Sequence, residues 1–137
     1  IQSYPRDVLM ALEEGNLLRA EGNDQEATAV YRRVWQAGRE GFYGGLHYEI
    51  AALSLGDLLR SEKDYTSAVV AYEQVTEVPQ PDPEVLQKAD LAAGEMYDLL
   101  NKRDLAVKKY QMVVALDAST PQAESASRYL KEAYRGE

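Results

Sequence analysis

The chain of 137 residues has no cysteine, one histidine, one tryptophan and one phenylalanine. Without cysteine there is no disulfide, no thiol nucleophile and no thiolate-bound metal. His47 has no second His or Cys with which to share a metal, so it reads as a structural or exposed residue. Serine and aspartate occur, but without a base they make no catalytic triad. No clustered acidic loop has metal-ligand spacing. The glycines between Gly41 and Gly45 lack the Lys and Ser/Thr of a phosphate-binding loop. No apolar run approaches the roughly 20 residues of a membrane span. There is no signal peptide, and a first residue of Ile1 reads as a piece of a longer protein or a processed form. The expectation is a protein with no catalytic residues, no metal and no cofactor.

Charge of one sign is also scarce. Lys and Arg number 15 against 23 Asp and Glu, giving a net charge of −8. A nucleic-acid surface needs a basic footprint, and an anionic membrane face needs the same. Neither is expected. Hydrophobic residues make up 45% and charged residues 28%, the balance of one globular domain able to bury a core.

What the chain does have is a register used three times. Gly15, Leu18, Ala27, Tyr31 and Val34 are matched by Gly56, Leu59, Ala68, Tyr72 and Val75. Gly94, Tyr97, Ala106, Tyr110 and Val113 follow the same internal spacing, and the copies lie 41 and 38 residues apart. This is the signature of a repeat protein. A glycine inside a helical pattern costs about 1 kcal/mol relative to alanine. Close approach of a second helix offsets that cost, with the alanine taking the reciprocal place. The tyrosine four residues on shares the alanine's face and fills the wedge between the helices. Each copy therefore reads as a helix, a short turn and an antiparallel helix.

This skeleton resembles the tetratricopeptide repeat. Gly15, Gly56 and Gly94 match the family's small residue in the first helix. Ala27, Ala68 and Ala106 match its alanine in the second, and Tyr31, Tyr72 and Tyr110 its following aromatic. The family's tryptophan early in the first helix has no counterpart here, and the family's repeat of about 34 residues is exceeded. The resemblance implies an all-α, right-handed solenoid of three helical hairpins, about 6–41, 46–79 and 83–118. A capping helix over 121–135 completes a single domain.

In chain order, the spacing predicts a first helix over about 6–20. A second follows, N-capped by Asp24 and running to about Gly38. The segment 38–45 is a glycine-rich loop that either pins itself with Phe42 and Tyr43 or presents them to a partner. A third, strongly apolar helix is expected over 46–60, and a fourth capped by Asp64 runs to about Glu77. Asp82 and Pro83 start a fifth, which ends near Leu100. The sixth runs from Asp104 to about Leu116. Thr120 and Pro121 start a seventh, ending near Arg135 with Gly136 just past it. Ala123, Ala126, Leu130 and Ala133 form one narrow stripe on that last helix, expected to cover Val113 and Leu116. Of the ten tyrosines, Tyr31, Tyr72, Tyr110 and Tyr97 are expected to pack between helices. Tyr43, Tyr48, Tyr65, Tyr129 and Tyr134 are less constrained.

In the family, the first helices of successive repeats line an inner groove. By that resemblance the residues pointing there are Asn16 and Arg19, Asp57 and Arg60, and Glu95 and Asp98. The alternative is that these charges only satisfy one another at the surface. Asn16 and Lys88 match two places of the set with which some members clamp the C-terminal carboxylate of chaperones. Leu12, Ser54 and Ala92 occupy the others, so chaperone-tail binding is not expected. The functional expectation is a non-catalytic scaffold that binds a peptide or a protein surface. The rivals are a regulatory peptide-sensing module of a multidomain protein and a self-association module.

Overall fold

A computed structural model describes residues 5–41 and 48–136, and Phe42, Tyr43 and His47 lie outside them. The described residues form seven α-helices and no strand: α1 (Pro5–Ala20), α2 (Asp24–Arg39), α3 (Glu49–Ser61), α4 (Tyr65–Gln74), α5 (Pro83–Leu99), α6 (Arg103–Leu116) and α7 (Pro121–Lys131). The α4 helix tightens into a 3-10 turn over Val75–Glu77. Each helix packs on the next in sequence, α3 also touches α5, and α5 also touches α7.

Local chemistry sets the starts. Asp64 accepts a hydrogen bond from the Ser67 N–H at 3.2 Å, Asp82 from Val85 at 3.1 Å and Thr120 from Ala123 at 3.0 Å. Pro83 and Pro121 follow two of these caps, where no amide hydrogen is needed. Asp24 was expected to cap α2. It is instead the first helical residue, after Asn23, whose side chain makes no capping bond.

The three hairpins turn in the same way. Gly22, Lys63 and Asn101 each stand seven residues after the repeat glycine, and each has positive φ, at 85°, 64° and 61°. The next amide reaches back five residues each time: Asn23 to Leu18, Asp64 to Leu59 and Lys102 to Tyr97, at 2.8–3.0 Å. This is the Schellman closure of a helix C-terminus.

Packing explains the glycines. A Cβ on Gly15 would lie 2.7 Å from the Tyr31 ring. The corresponding distance is 2.5 Å for Gly56 with Tyr72 and for Gly94 with Tyr110. No side chain fits there. Ala27, Ala68, Ala106 and the three tyrosines are wholly buried. The core runs from Val8 in α1 to Met96 in α5, and a second cluster joins α6 to α7. Tyr97 packs against both.

The end of the chain departs from expectation. The helix stops at Lys131, not near Arg135, and Glu132 is extended (φ −145°, ψ 126°). Ala123 and Ala126 are buried as the stripe required, but Leu116 is 46% exposed, so α7 covers Tyr110 and Val113 and leaves Leu116 out. Arg103 takes the carbonyls left at the end of α7: its Nη2 donates to Tyr129 O at 2.6 Å and Leu130 O at 3.2 Å. Gln87 does the same for α6, donating to Val113 O at 2.8 Å and Asp117 O at 2.9 Å. These side chains answer the orphan carbonyls of helix ends.

Candidate functional site

An open groove crosses the first helices of the three hairpins. One hollow of about 680 Å³ lies between Arg19 of α1, Asp57 and Arg60 of α3, Lys63 of the following turn and Tyr65 of α4. A second of about 230 Å³ continues between α3 and α5, past Lys88 and Glu95. Asp57 and Arg60 line both. The structure therefore brings five of the seven sequence-predicted residues to one surface: Arg19, Asp57, Arg60, Lys88 and Glu95.

Their availability differs. Arg19 Nη2 reaches the Asp57 carbonyl at 3.4 Å, a long contact. Lys88 is exposed and pairs with Glu84 one turn back at 3.3 Å, a surface pair of small worth. Asp57 accepts the Tyr72 hydroxyl at 2.6 Å. Arg60 is held firmly: Nη1 meets Glu95 at 2.7 Å, and Nη2 donates to the Tyr134 hydroxyl at 2.8 Å. Burial works to lower the Arg60 pKa, but the Glu95 carboxylate and the Tyr134 and Tyr72 phenols together outweigh it and the net shift is upward.

Two expected groove residues do other work. Asn16 is exposed, but its Oδ1 accepts the Tyr31 hydroxyl at 2.5 Å. Asp98 does not face the groove as a carboxylate for a partner; its side chain is 1% exposed. It accepts Arg103 Nη1 on both oxygens at 3.1 and 3.0 Å, the Tyr110 hydroxyl at 2.7 Å and the Tyr134 amide at 2.9 Å. The reason lies in the third copy of the register. Tyr31 and Tyr72 bond the residue just after their glycine. The corresponding Glu95 is drawn to Arg60, so Tyr110 bonds Asp98, one turn further on.

Sequence reasoning missed three features. Arg103 ties α5 to α7 through Asp98. Tyr134, read as loosely constrained, is buried at 8% exposure. Lys109 bridges Glu73 at 2.5 Å and Asp90 at 3.3 Å, and Tyr97 donates to Glu73 at 2.6 Å. Burial raises the Asp90 pKa and Lys109 partly offsets it. Only Asp90 left a trace, as a charge inside the apolar run Ala89–Ala93.

Among the described residues no three His, Cys, Asp or Glu side chains are grouped to hold a metal, and no helix is long and apolar enough to cross a membrane. Comparison with family models, with curated proteins and with solved structures gave no match.

Proposed function

We propose that the chain is a tetratricopeptide-like array, a right-handed solenoid whose inner groove binds an extended peptide or a protein segment without catalysis. The observation that carries this reading is the 680 Å³ hollow, to which α1 and the α3–α4 turn bring Arg19 and Lys63. These are cations on the surface of a chain with net charge −8. Such charges steer encounter and set specificity more than they set stability. Arg60 is unsuited to test this, since it is paired with Glu95 and Tyr134. Arg19→Glu with Lys63→Glu is the better probe. Selection from a displayed peptide library is expected to yield binders that the double variant loses while its melting temperature holds. A library that yields none, or binders indifferent to the double variant at low salt, would sink the reading.

A second reading, self-association, has its own observation. Met10 and Leu17 of α1 are 66% and 59% exposed, yet their register mates Ala51 and Leu58 in α3, and Ala89 and Met96 in α5, are wholly buried. Both α3 and α5 pack on the second helix of the preceding hairpin. The same face of α1 is shaped for a helix of that kind, supplied by a second copy. Light scattering is expected to show a concentration-dependent dimer that Leu17→Glu abolishes. A monomer at high concentration refutes it.

A further inference from the structure

Residues 132–136 follow α7, and Tyr134, Arg135 and Gly136 among them line the larger hollow beside Arg60. Tyr134 is their anchor. Its amide donates to Asp98 Oδ2 at 2.9 Å, and its hydroxyl accepts from Arg60 Nη2 at 2.8 Å. The Arg60 guanidinium stands 5.6 Å from the ring centroid, and Tyr129 meets the ring edge-on at 5.2 Å. These are contacts that any extended segment bearing a tyrosine can make, since they use one backbone N–H and one phenol side chain.

Release of this strap strands no buried charge. Asp98 keeps Arg103 and the Tyr110 hydroxyl, and Arg60 keeps Glu95. Leaving a buried ion without its partner is strongly destabilising, and that penalty does not arise here. The strap has no regular secondary structure beyond Lys131, and such segments open at far lower cost than core helices. The larger hollow begins at Tyr134 and extends to Arg19 and Lys63, so the strap fills only part of the groove.

We propose that the groove recognises an extended peptide through a tyrosine side chain, and that residues 132–136 are its resting occupant, which an external segment displaces. The proposal rests on the groove being the interaction surface. A tethered strap competes at an effective concentration of about millimolar, so an external segment needs contacts beyond the strap's own. Arg19 and Lys63 supply them to a ligand that carries a carboxylate beside its tyrosine.

The test uses the full chain, its Tyr134→Ala and Tyr134→Phe variants, and a synthetic peptide with the sequence of residues 131–137. Binding is followed by amide NMR shifts at Arg60, Asp98 and Tyr129. The Tyr134→Ala chain is expected to bind the peptide at least tenfold more tightly than the parent, and Tyr134→Phe to fall between them. A peptide with alanine in place of its tyrosine is expected not to bind. If Tyr134→Ala does not fold, the Tyr134→Phe chain carries the same comparison, because it keeps the ring and backbone and removes the hydroxyl that Arg60 meets. Equal binding by parent and variant, or no binding at millimolar peptide, overturns the proposal. The outcome is separable from the scaffold reading. Library binders lost in the Arg19→Glu/Lys63→Glu chain, together with equal peptide binding by the parent and Tyr134→Ala, sink the strap and leave the scaffold standing.

Discussion

The ring of Tyr72 rests on the α-carbon of Gly56, so closely that a Cβ there would stand 2.5 Å from ring carbon Cε1. The pair joins α3 to α4 and recurs as Gly15 with Tyr31 and Gly94 with Tyr110. The Tyr72 hydroxyl then reaches Asp57, the next residue along α3, at 2.6 Å. One side chain thus sets both the distance between the two helices and their rotation.

Substitution at Gly56 is therefore expected to destabilise. Alanine gains about 1 kcal/mol of helix propensity, but overpacking a close contact costs about 1–3 kcal/mol. A buried ring held by a hydroxyl bond cannot yield cheaply. Thermal melts should rank parent above Gly56→Ala and Gly56→Ala above Gly56→Leu. An alanine variant melting at or above the parent would show that the helices simply move apart.

Lys63 holds a left-handed conformation that a side chain disfavours by about 1–2 kcal/mol. Glycine removes that strain and loses more entropy on folding. Lys63→Gly should raise stability by about 0.5 kcal/mol in urea titration, whereas Gly22→Ala, at the matching turn, should lower it. The opposite pair of signs would contradict a shared turn.

The Lys109 ammonium is the counter-ion of two carboxylates from different helices, Glu73 and Asp90. Lys109→Met leaves Asp90, 4% exposed in its side chain, without a cation. Breaking one partner of a buried pair costs about 3–5 kcal/mol. Adding Asp90→Asn should restore part of the loss. A double variant no more stable than Lys109→Met alone would show that Asp90 does not depend on that charge.

Four phenols should resist alkali. Burial raises the pKa of Tyr31, Tyr72, Tyr97 and Tyr110; Asp57, Glu73 and Asp98 raise it further at Tyr72, Tyr97 and Tyr110 respectively, and Arg19 takes back part of the rise at Tyr31. A group whose folded pKa lies above its unfolded value contributes stability that is complete below the unfolded pKa. That contribution fades as pH rises towards the folded value. Stability should therefore fall above about pH 10, the ordinary tyrosine range. Absorbance at the phenolate band should show these four tyrosines ionising only as the helical signal is lost. Ionisation of all ten tyrosines in a chain that stays helical would refute the buried geometry.

How far the sequence reached depended on the range of each interaction. The cap at Asp64 and the paired Asp82–Pro83 and Thr120–Pro121 signals were legible because a side chain there bonds its own backbone three residues on. The register of glycine, alanine, tyrosine and valine was legible for a related reason. Helical periodicity fixes which residues share a face, and a glycine retained three times in helices has to be answered by something bulky close by.

The groove was legible only as a face. The family resemblance had named Arg19, Asp57, Arg60, Lys88 and Glu95, which line the two adjoining hollows, but a charged side chain can pair with many others within its reach. Arg60 chose Glu95, 35 positions away, because α3 and α5 lie side by side. That choice turned Tyr110 to Asp98 and buried a carboxylate that the family resemblance had assigned to the groove. Tyr134 had no periodicity to announce it, since an extended segment buries a residue through where it lands. The sequence by itself determined the hairpins, because their contacts lie within one repeat. The tertiary structure alone decided which groove charges are held and that the chain's own end lies across them, because those contacts form between residues that share no local pattern.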